Sequence, residues 1–145
     1  MERAIGSRID LDSTDDTLAE EYMDCVSDIL YHDKVQRLTK YEQHCHTSRL
    51  QHCINVSYYS FLVCRKFGWD YRSAARGALL HDLFYYDWRT TKLQGTNHAI
   101  WHPRVALDNA KKVCHLNAIE QDCIRRHMWP MSLIPPKFKE SYRCV

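Results

Sequence analysis

This chain of 145 residues has few glycines and prolines, no long apolar run and no strong excess of charge of either sign. With four glycines and four prolines, long stretches of helical periodicity run uninterrupted, which favours helices over a fold with many turns. The formal net charge of +2 is too small to indicate a nucleic-acid polymer or an anionic membrane as partner. No run approaches the length of a membrane-spanning helix, and the N-terminus lacks the pattern of a signal peptide.

The seven cysteines contain no Cys-x-x-Cys pair, and most of them lie within apolar periodic segments. Cysteine in such positions behaves as a small hydrophobic residue. An odd count without paired spacing therefore predicts free thiols in a reducing cytoplasm. The unusual feature of the composition is its nine histidines, and the candidate site is built from them.

The hydrophobic periodicity predicts one all-α domain, a compact bundle of about five to six helices. We expect residues 1–34 to form a polar N-terminal segment with a covering helix, and residues 35–145 to form the core. Ser48 begins a capping box and Gly68 supplies a helix stop, so one helix is expected between them. The other predicted helices span about 17–32, 71–85, 103–114 and 118–127, with a short turn near 35–38 and a polar loop over 87–101.

A histidine and an aspartate stand side by side within the apolar run 78–84. An ionised Asp82 loses its hydration there, which costs several kcal/mol unless something replaces the lost water. A divalent cation replaces it well, since neutral His and anionic Asp are both ligands of zinc, manganese and iron. For an isolated pair, the alternative is a His81 that hydrogen-bonds within a helix and an Asp82 that faces water.

Three further histidines favour the metal interpretation. His52 opens an inward row of its helix, His102 stands at a predicted helix N-terminus, and His127 shares the inward side of the last helix. Helices that project His and carboxylate into a shared interior are how bundle proteins bind one or two metals. The predicted ligands of one or two divalent ions (Mn, Fe, Zn or similar) are His52, His81, Asp82, His102 and His127.

At these residues the chain resembles the HD-domain phosphohydrolase superfamily, and within it a group of small bacterial HD proteins. The resemblance runs from about residue 35 to the C-terminus and is carried by Thr47–His52, Asp70–Asp82 and His127–Pro130. It implies that His81 and Asp82 form the catalytic centre. The additional His102 and His127 resemble the binuclear branch, which includes cyclic-dinucleotide phosphodiesterases and diiron inositol oxygenases.

Two departures from the family's pattern bear on catalysis. The superfamily's last ligand is an Asp on a later helix, but no Asp follows Asp122, and we expect the final helix to be absent. Either the chain is truncated, or the five ligands suffice, or another carboxylate such as Glu140 substitutes. Some relatives also place a Glu one turn after the His-Asp pair, where this chain has Tyr85, so no general base is assigned. We therefore expect weak or absent hydrolysis by this chain.

The resemblance implies hydrolysis of a small phosphomonoester or phosphodiester, with a nucleotide among the candidate substrates. A divalent ion lowers the pKa of its water and neutralises charge on a phosphoryl oxygen. Cations close to the ligands in sequence are candidates to bind the phosphate, although each alone is more typical of a solvated surface. These cations are Arg49, Arg72, Arg76, Lys92 and Arg104, with Arg76 as the first choice.

Three alternatives stay open. The first is a catalytically impaired HD module that binds metal or nucleotide as a sensor or partner domain. The second is a diiron oxygenase, which an iron-dependent, oxygen-consuming reaction would distinguish from phosphate release. The third is a structural zinc site built from His44, Cys45, His46 and Cys53, whose spacing is not that of a zinc finger.

Overall fold

The computed structural model describes residues 17–42, 47–86, 98–129 and 134–144. Its α-helices are α1 (Thr17–Leu30), α2 (Asp33–Gln36), α3 (Arg49–Phe67), α4 (Tyr71–Leu79), α5 (His98–Lys111) and α6 (Ala118–Arg126). Two 3-10 helices span Arg37–Lys40 and Ser141–Cys144. The described residues contain no strand, only one isolated bridge between Glu42 and Ser48. The predicted all-α bundle of five to six helices is confirmed.

Several helix ends follow the signals in the sequence. The Ser48 side chain accepts a hydrogen bond from the Gln51 N–H (3.0 Å), and Asn117 accepts one from the Glu120 N–H (2.8 Å). Each bond satisfies a backbone donor that a helix leaves without an internal partner in its first turn. Gly68 ends α3 in the left-handed region, at φ 70°, where glycine carries no Cβ penalty. These caps fix the registers of α3 and α6, and so the places of their histidines.

α4 ends at Leu79 and is therefore shorter than predicted, since its end was expected near residue 85. The His-Asp pair therefore lies in the turn after the helix and not on it. Side chains from other elements donate to the carbonyl oxygens of the segment that follows. Leu83 O accepts from Asn109 Nδ2 at 2.8 Å. Phe84 O accepts from Arg49 at 2.7 Å, so side chains of other elements satisfy the carbonyls of this non-helical segment.

α5 begins earlier than predicted, at His98 rather than after His102. His102 is therefore a helical residue and not an N-cap, and Pro103 stands inside the helix. Proline has no N–H to donate, so the helix forgoes one backbone hydrogen bond there. The loop predicted over 87–101 thus overlaps α5 at its end, and its residues 87–97 lie outside the described ranges.

The core is aromatic where α1 meets α3. The Tyr22 ring packs edge-on against Tyr58 and Phe61, with ring centroids 5.0 and 5.5 Å apart. Tyr22 Oη donates to Ser57 Oγ (2.8 Å), which in turn donates to Ala75 O (2.7 Å). Burial raises the pKa of the Tyr22 phenol, which keeps it a donor. This chain of hydrogen bonds joins α1, α3 and α4 through the core.

The row of α3 that begins at His52 is less buried than predicted. Val56 and Val63 are half-buried, and Tyr59 is 58% exposed. The opposite row of α3, which carries Tyr58, is the one that enters the core. His52 therefore lies at the border between the interior and solvent.

The last described segment folds back onto α6 and α4. Asp122 Oδ2 accepts from the backbone N–H groups of Lys137 (2.8 Å) and Phe138 (3.1 Å). Glu140 accepts from the Asp70 N–H (3.2 Å), just before α4 begins. These bonds hold the second 3-10 helix against α3, α4 and α6.

None of the helices in the described ranges is long and apolar enough to cross a bilayer. Five cysteines with described side chains carry thiols that form no disulfide, as predicted: Cys25, Cys53, Cys64, Cys114 and Cys123. Cys53 is fully buried in the core. The other three residues of the alternative zinc site, at positions 44–46, lie outside the described residues.

Gly77 allows α4 to approach α6 closely. A Cβ built on Gly77 would lie 2.6 Å from Cys123 Cβ and 3.2 Å from Glu120 Cα. Neither atom is the end of a flexible side chain, so the two helices would have to move apart. The close approach matters for function because α6 carries His127.

We expect Gly77→Ala to destabilise the fold by about 1–3 kcal/mol, because the added methyl overpacks the contact between α4 and α6. The higher helix propensity of alanine offsets at most about 1 kcal/mol of that cost. Urea denaturation followed by circular dichroism measures the difference. Arg72→Ala, on the exposed side of α4, is the control and should change the free energy of unfolding by less than about 0.5 kcal/mol. An unchanged or raised stability of Gly77→Ala would contradict the close approach.

Candidate metal centre

Four helices bring the predicted ligands together in one cluster. The cluster contains His52 in the first turn of α3, His81 and Asp82 in the turn after α4, His102 within α5, and His127 at the C-cap of α6. The potential ligand atoms form two groups of three that share Asp82. Because the five ligands come from four separate helices or the turns that follow them, the cluster exists only in the folded chain.

His52, His81 and Asp82 form one half of the cluster, which we name the open half. Its ligand atoms, His52 Nε2, His81 Nε2 and Asp82 Oδ2, are 3.3 Å apart in every pair. Three ligands of a tetrahedral zinc ion with bonds of about 2.0–2.1 Å are themselves about 3.3–3.4 Å apart. The open half therefore has the spacing of three protein ligands with a fourth position to spare. The His52 side chain is 28% exposed, so solvent reaches this half.

His102, His127 and the other carboxylate oxygen of Asp82 form the closed half. Both Nε2 atoms lie 3.3 Å from Asp82 Oδ1, and they lie 2.7 Å from each other. The shorter distance is nearer to the about 3 Å between neighbouring ligands of an octahedral ion with bonds of about 2.1 Å. The three side chains are at most 6% exposed. The two halves thus differ in both ligand spacing and access.

Asp82 belongs to both halves, because Oδ2 faces the open half and Oδ1 faces the closed half. Burial alone would raise the pKa of this carboxyl. The positive charge of the adjacent His81 instead holds the pKa of Asp82 well below its usual range. The carboxylate is therefore ionised at neutral pH, as a metal ligand must be.

Backbone carbonyls fix the orientation of two imidazoles. His81 Nδ1 lies 2.5 Å from Ala78 O, and His127 Nδ1 lies 2.7 Å from Ile124 O. A carbonyl only accepts, so each Nδ1 carries a proton and donates it, and the neutral ring keeps a lone pair on Nε2. These lone pairs face the Asp82 carboxylate. Nitrogen and oxygen are then both hydrogen-bond acceptors, and they repel each other unless a proton or a cation lies between them. A divalent cation between an imidazole Nε2 and the carboxylate oxygen it faces would accept both lone pairs, so the donor set fits a metal ion.

The two oriented imidazoles differ in their protonation. Burial lowers the pKa of both rings. For His81 the charge of the adjacent Asp82 outweighs burial and raises the pKa well above its ordinary value of 6.5. For His127 burial prevails and lowers the pKa, so this ring is neutral at neutral pH. When no ion is bound, the positive charge that balances Asp82 therefore lies in the open half.

Among the predicted phosphate-binding cations, Arg76 has its charged partners on other helices of the bundle. Arg76 donates to Asp28 Oδ1 at 2.6 Å, and its Nε lies 3.9 Å from Glu120. These partners belong to α1 and α6, so the contacts of Arg76 give it a structural role and do not support phosphate binding. Arg104 is exposed on α5. Lys92 lies outside the described residues.

Two further residues differ from the sequence-based expectation. Arg49 is buried and donates to the carbonyls of Phe84 and Tyr86 rather than facing solvent. Glu140 lies at the N-terminal end of α4, and the helix separates it from the His-Asp pair by about 13 Å. Its contacts do not support the alternative that Glu140 completes the ligand set. No local sequence pattern predicts the location of either side chain, because both locations depend on contacts between segments that are distant in the chain.

A scan against protein-family models, a search among curated proteins and a search among solved structures each find nothing that matches this chain. The functional argument therefore rests on the chemistry and geometry of the cluster itself.

We expect Asp28→Asn to lower the free energy of unfolding at pH 7 by up to about 1 kcal/mol, because the Asp28 side chain is 60% exposed and its ion pair is partly screened. The hydrogen bond from Arg76 lowers the pKa of Asp28 below its usual 3.8. A lowered folded-state pKa gives stability that is present above pH 3.8 and lost as pH falls through the folded value. Urea titrations between pH 7 and pH 3 should show the wild-type advantage shrinking at the acid end. An advantage that grows on acidification would contradict the pairing.

We expect the wild-type chain to bind about two Zn²⁺ ions, and Asp82→Asn to lower the affinity of both by more than about a hundredfold, since both halves share this carboxylate. His52→Ala should remove only the open-half ion, and His127→Ala only the closed-half ion. His115→Ala removes an exposed histidine outside the cluster and is the matched control. Equilibrium dialysis against a series of Zn²⁺ concentrations, with bound zinc measured by atomic spectroscopy, distinguishes these outcomes. Full zinc retention by Asp82→Asn would contradict the shared centre.

Proposed function

We propose that this chain is a metal-dependent phosphohydrolase of the HD type that acts on a small phosphomonoester or phosphodiester. The observation that carries the proposal is a buried carboxylate, Asp82, with imidazole nitrogens 3.3 Å from each of its oxygens. The donors are nitrogen and oxygen without a thiolate, which suits zinc, manganese or iron. Such an ion lowers the pKa of its water and neutralises charge on a phosphoryl oxygen.

The charge of the centre favours an anionic substrate. The five ligands contribute −1, from Asp82 alone, and two divalent ions contribute +4, so the loaded centre carries +3. Charge of this size is poorly screened in a buried site, and a phosphate group offsets it. The same repulsion weakens the hold on the second ion. We therefore expect turnover to be slow.

The chain's own residues orient the ligands and exclude water. The carbonyls behind His81 and His127 hold the two rings with Nε2 toward Asp82. The closed half is sealed from solvent, so its charges interact strongly with whatever binds beside them. His52 is the most exposed of the five ligands, and a substrate reaches the centre from its side.

One observation supports a second function, a metal-binding HD module that acts as a sensor or partner domain. Arg76, the first-choice phosphate ligand, is engaged by Asp28 instead, and no general base has been assigned. A sensor needs the same metal ligands but neither of those groups. Metal binding without turnover would favour this function over hydrolysis.

We expect slow release of p-nitrophenol from p-nitrophenyl phosphate or its bis ester in the presence of Mn²⁺. Asp82→Asn should lower kcat/KM by more than about a hundredfold, because the centre loses the charge that positions both ions. His115→Ala should keep the wild-type rate, since this exposed histidine lies outside the cluster.

Equal activity in Asp82→Asn and wild type would show that the hydrolysis does not arise at this centre. Oxygen consumption by the Fe²⁺-loaded chain, without phosphate release, would favour the diiron oxygenase instead.

A further inference from the structure

We infer that Arg49 is a positioning residue for the open half of the metal centre, an inference that rests on the proposed metal function. Arg49 is 1% exposed, and it is among the largest side chains that the fold buries completely. Burial of a guanidinium costs free energy unless its N–H donors are hydrogen-bonded. The groups that accept these hydrogen bonds therefore indicate which part of the structure the arginine stabilises. Arg49 and His52 are three residues apart on α3 and therefore leave the same side of the helix.

The partners of Arg49 include two backbone carbonyls and one ring of the segment just after Asp82, together with the Tyr41 ring. Nη1 donates to Phe84 O at 2.7 Å, and Nη2 donates to Tyr86 O at 3.1 Å. The guanidinium also stacks 3.8 Å from the centroid of the Phe84 ring and 4.8 Å from that of Tyr41. One planar, rigid group thus contacts both residues 84–86 and Tyr41.

This segment depends on side chains for its path. Leu83 O accepts from Asn109, and Tyr85 O accepts from the Tyr41 hydroxyl at 2.8 Å. With the two bonds from Arg49, the carbonyls of residues 83 to 86 each accept from a side chain of another element. A segment outside any helix, held in this way, moves when its donors are removed.

Arg49 therefore joins the helix that carries His52 to the segment that follows Asp82. The 3.3 Å spacing of His52 Nε2 and Asp82 Oδ2 is a distance between those same two elements. The closed-half ligands His102 and His127 come from α5 and α6, to which the two backbone bonds of Arg49 do not extend. Removal of the guanidinium should thus disturb the open half more than the closed half.

The test measures Zn²⁺ affinity of each half separately, by competition with a chromophoric chelator. His102→Ala leaves only the open half, and His52→Ala leaves only the closed half. Arg49→Met is introduced into each background. Methionine is chosen because its apolar side chain can still pack on the Phe84 ring. That packing should be kept, since the Phe84 ring centroid lies 5.3 Å from that of His102 in the closed half. Arg65→Met is the matched control, since Arg65 lies on the same helix but pairs with Glu21 at the surface.

We expect Arg49→Met to weaken the open half by about tenfold or more, and the closed half by less than about threefold. Arg49→Lys should give an intermediate loss, because an ammonium reaches one carbonyl but cannot fork to both. Arg65→Met should change neither affinity. Retained zinc binding by the closed half also shows that the Arg49 variant is folded.

Equal losses in both halves, or no loss in the open half, would overturn the role of Arg49 while leaving the metal centre intact. Absence of Zn²⁺ binding in the wild-type chain would overturn the proposed function itself, and the inference with it. The two failures are therefore distinguishable in the same titration.

Discussion

The Asp82 carboxylate is ionised, buried and surrounded by imidazole nitrogens, and the rest of the structure is arranged to make that possible. A charge in such surroundings loses its hydration and must be compensated by neighbouring groups. Four helices converge on this one side chain, and each supplies compensation from a different part of the chain. Each oxygen of the carboxylate faces one pair of imidazoles. The cluster is therefore divided into two halves, of which only the open half is reached by solvent. Each half thus offers three potential ligand atoms to a metal ion.

The convergence depends on contacts that lie away from the ligands. Gly77 lets α4 approach α6 closely enough to bring His127 beside Asp82. Arg76 ties α4 to α1 through Asp28, so its charge contributes to the packing of the bundle. Side chains of other elements hold the non-helical segment after Asp82 by its carbonyls. The site is thus held by packing and by hydrogen bonds that extend well beyond its five ligands.

The sequence predicted those features that depend on near neighbours in the chain. The caps at Ser48 and Asn117 and the stop at Gly68 are local hydrogen bonds and backbone preferences, and they lie where predicted. The predicted end of α4 was wrong, and the segment that follows is held by donors such as Arg49, which is distant in sequence and therefore invisible to a local pattern. The role of Arg76 was unpredictable for the same reason, since its partner Asp28 lies 48 residues away.

The ligand set itself could be proposed from sequence because histidine and aspartate at helix ends carry a recognisable chemistry. The division into an open and a closed half could not, because it depends on which oxygen of Asp82 each ring faces. The sequence placed His102 at a helix cap, whereas it lies inside α5. Its ring nevertheless lies against Asp82. An error in the predicted start of the helix does not change the direction in which this one side chain points.

The central claim is that one carboxylate serves two metal positions. The most direct measurement is anomalous diffraction from a crystal of the full chain grown with Zn²⁺, recorded at the zinc edge. The account predicts two peaks, one between Asp82 Oδ2 and the His52 and His81 rings and one between Oδ1 and the closed-half rings. Two-metal centres of this kind have separations of about 3.5–4 Å. Absence of zinc from both positions at saturating concentration, or a zinc peak only at sites remote from Asp82, would contradict the account.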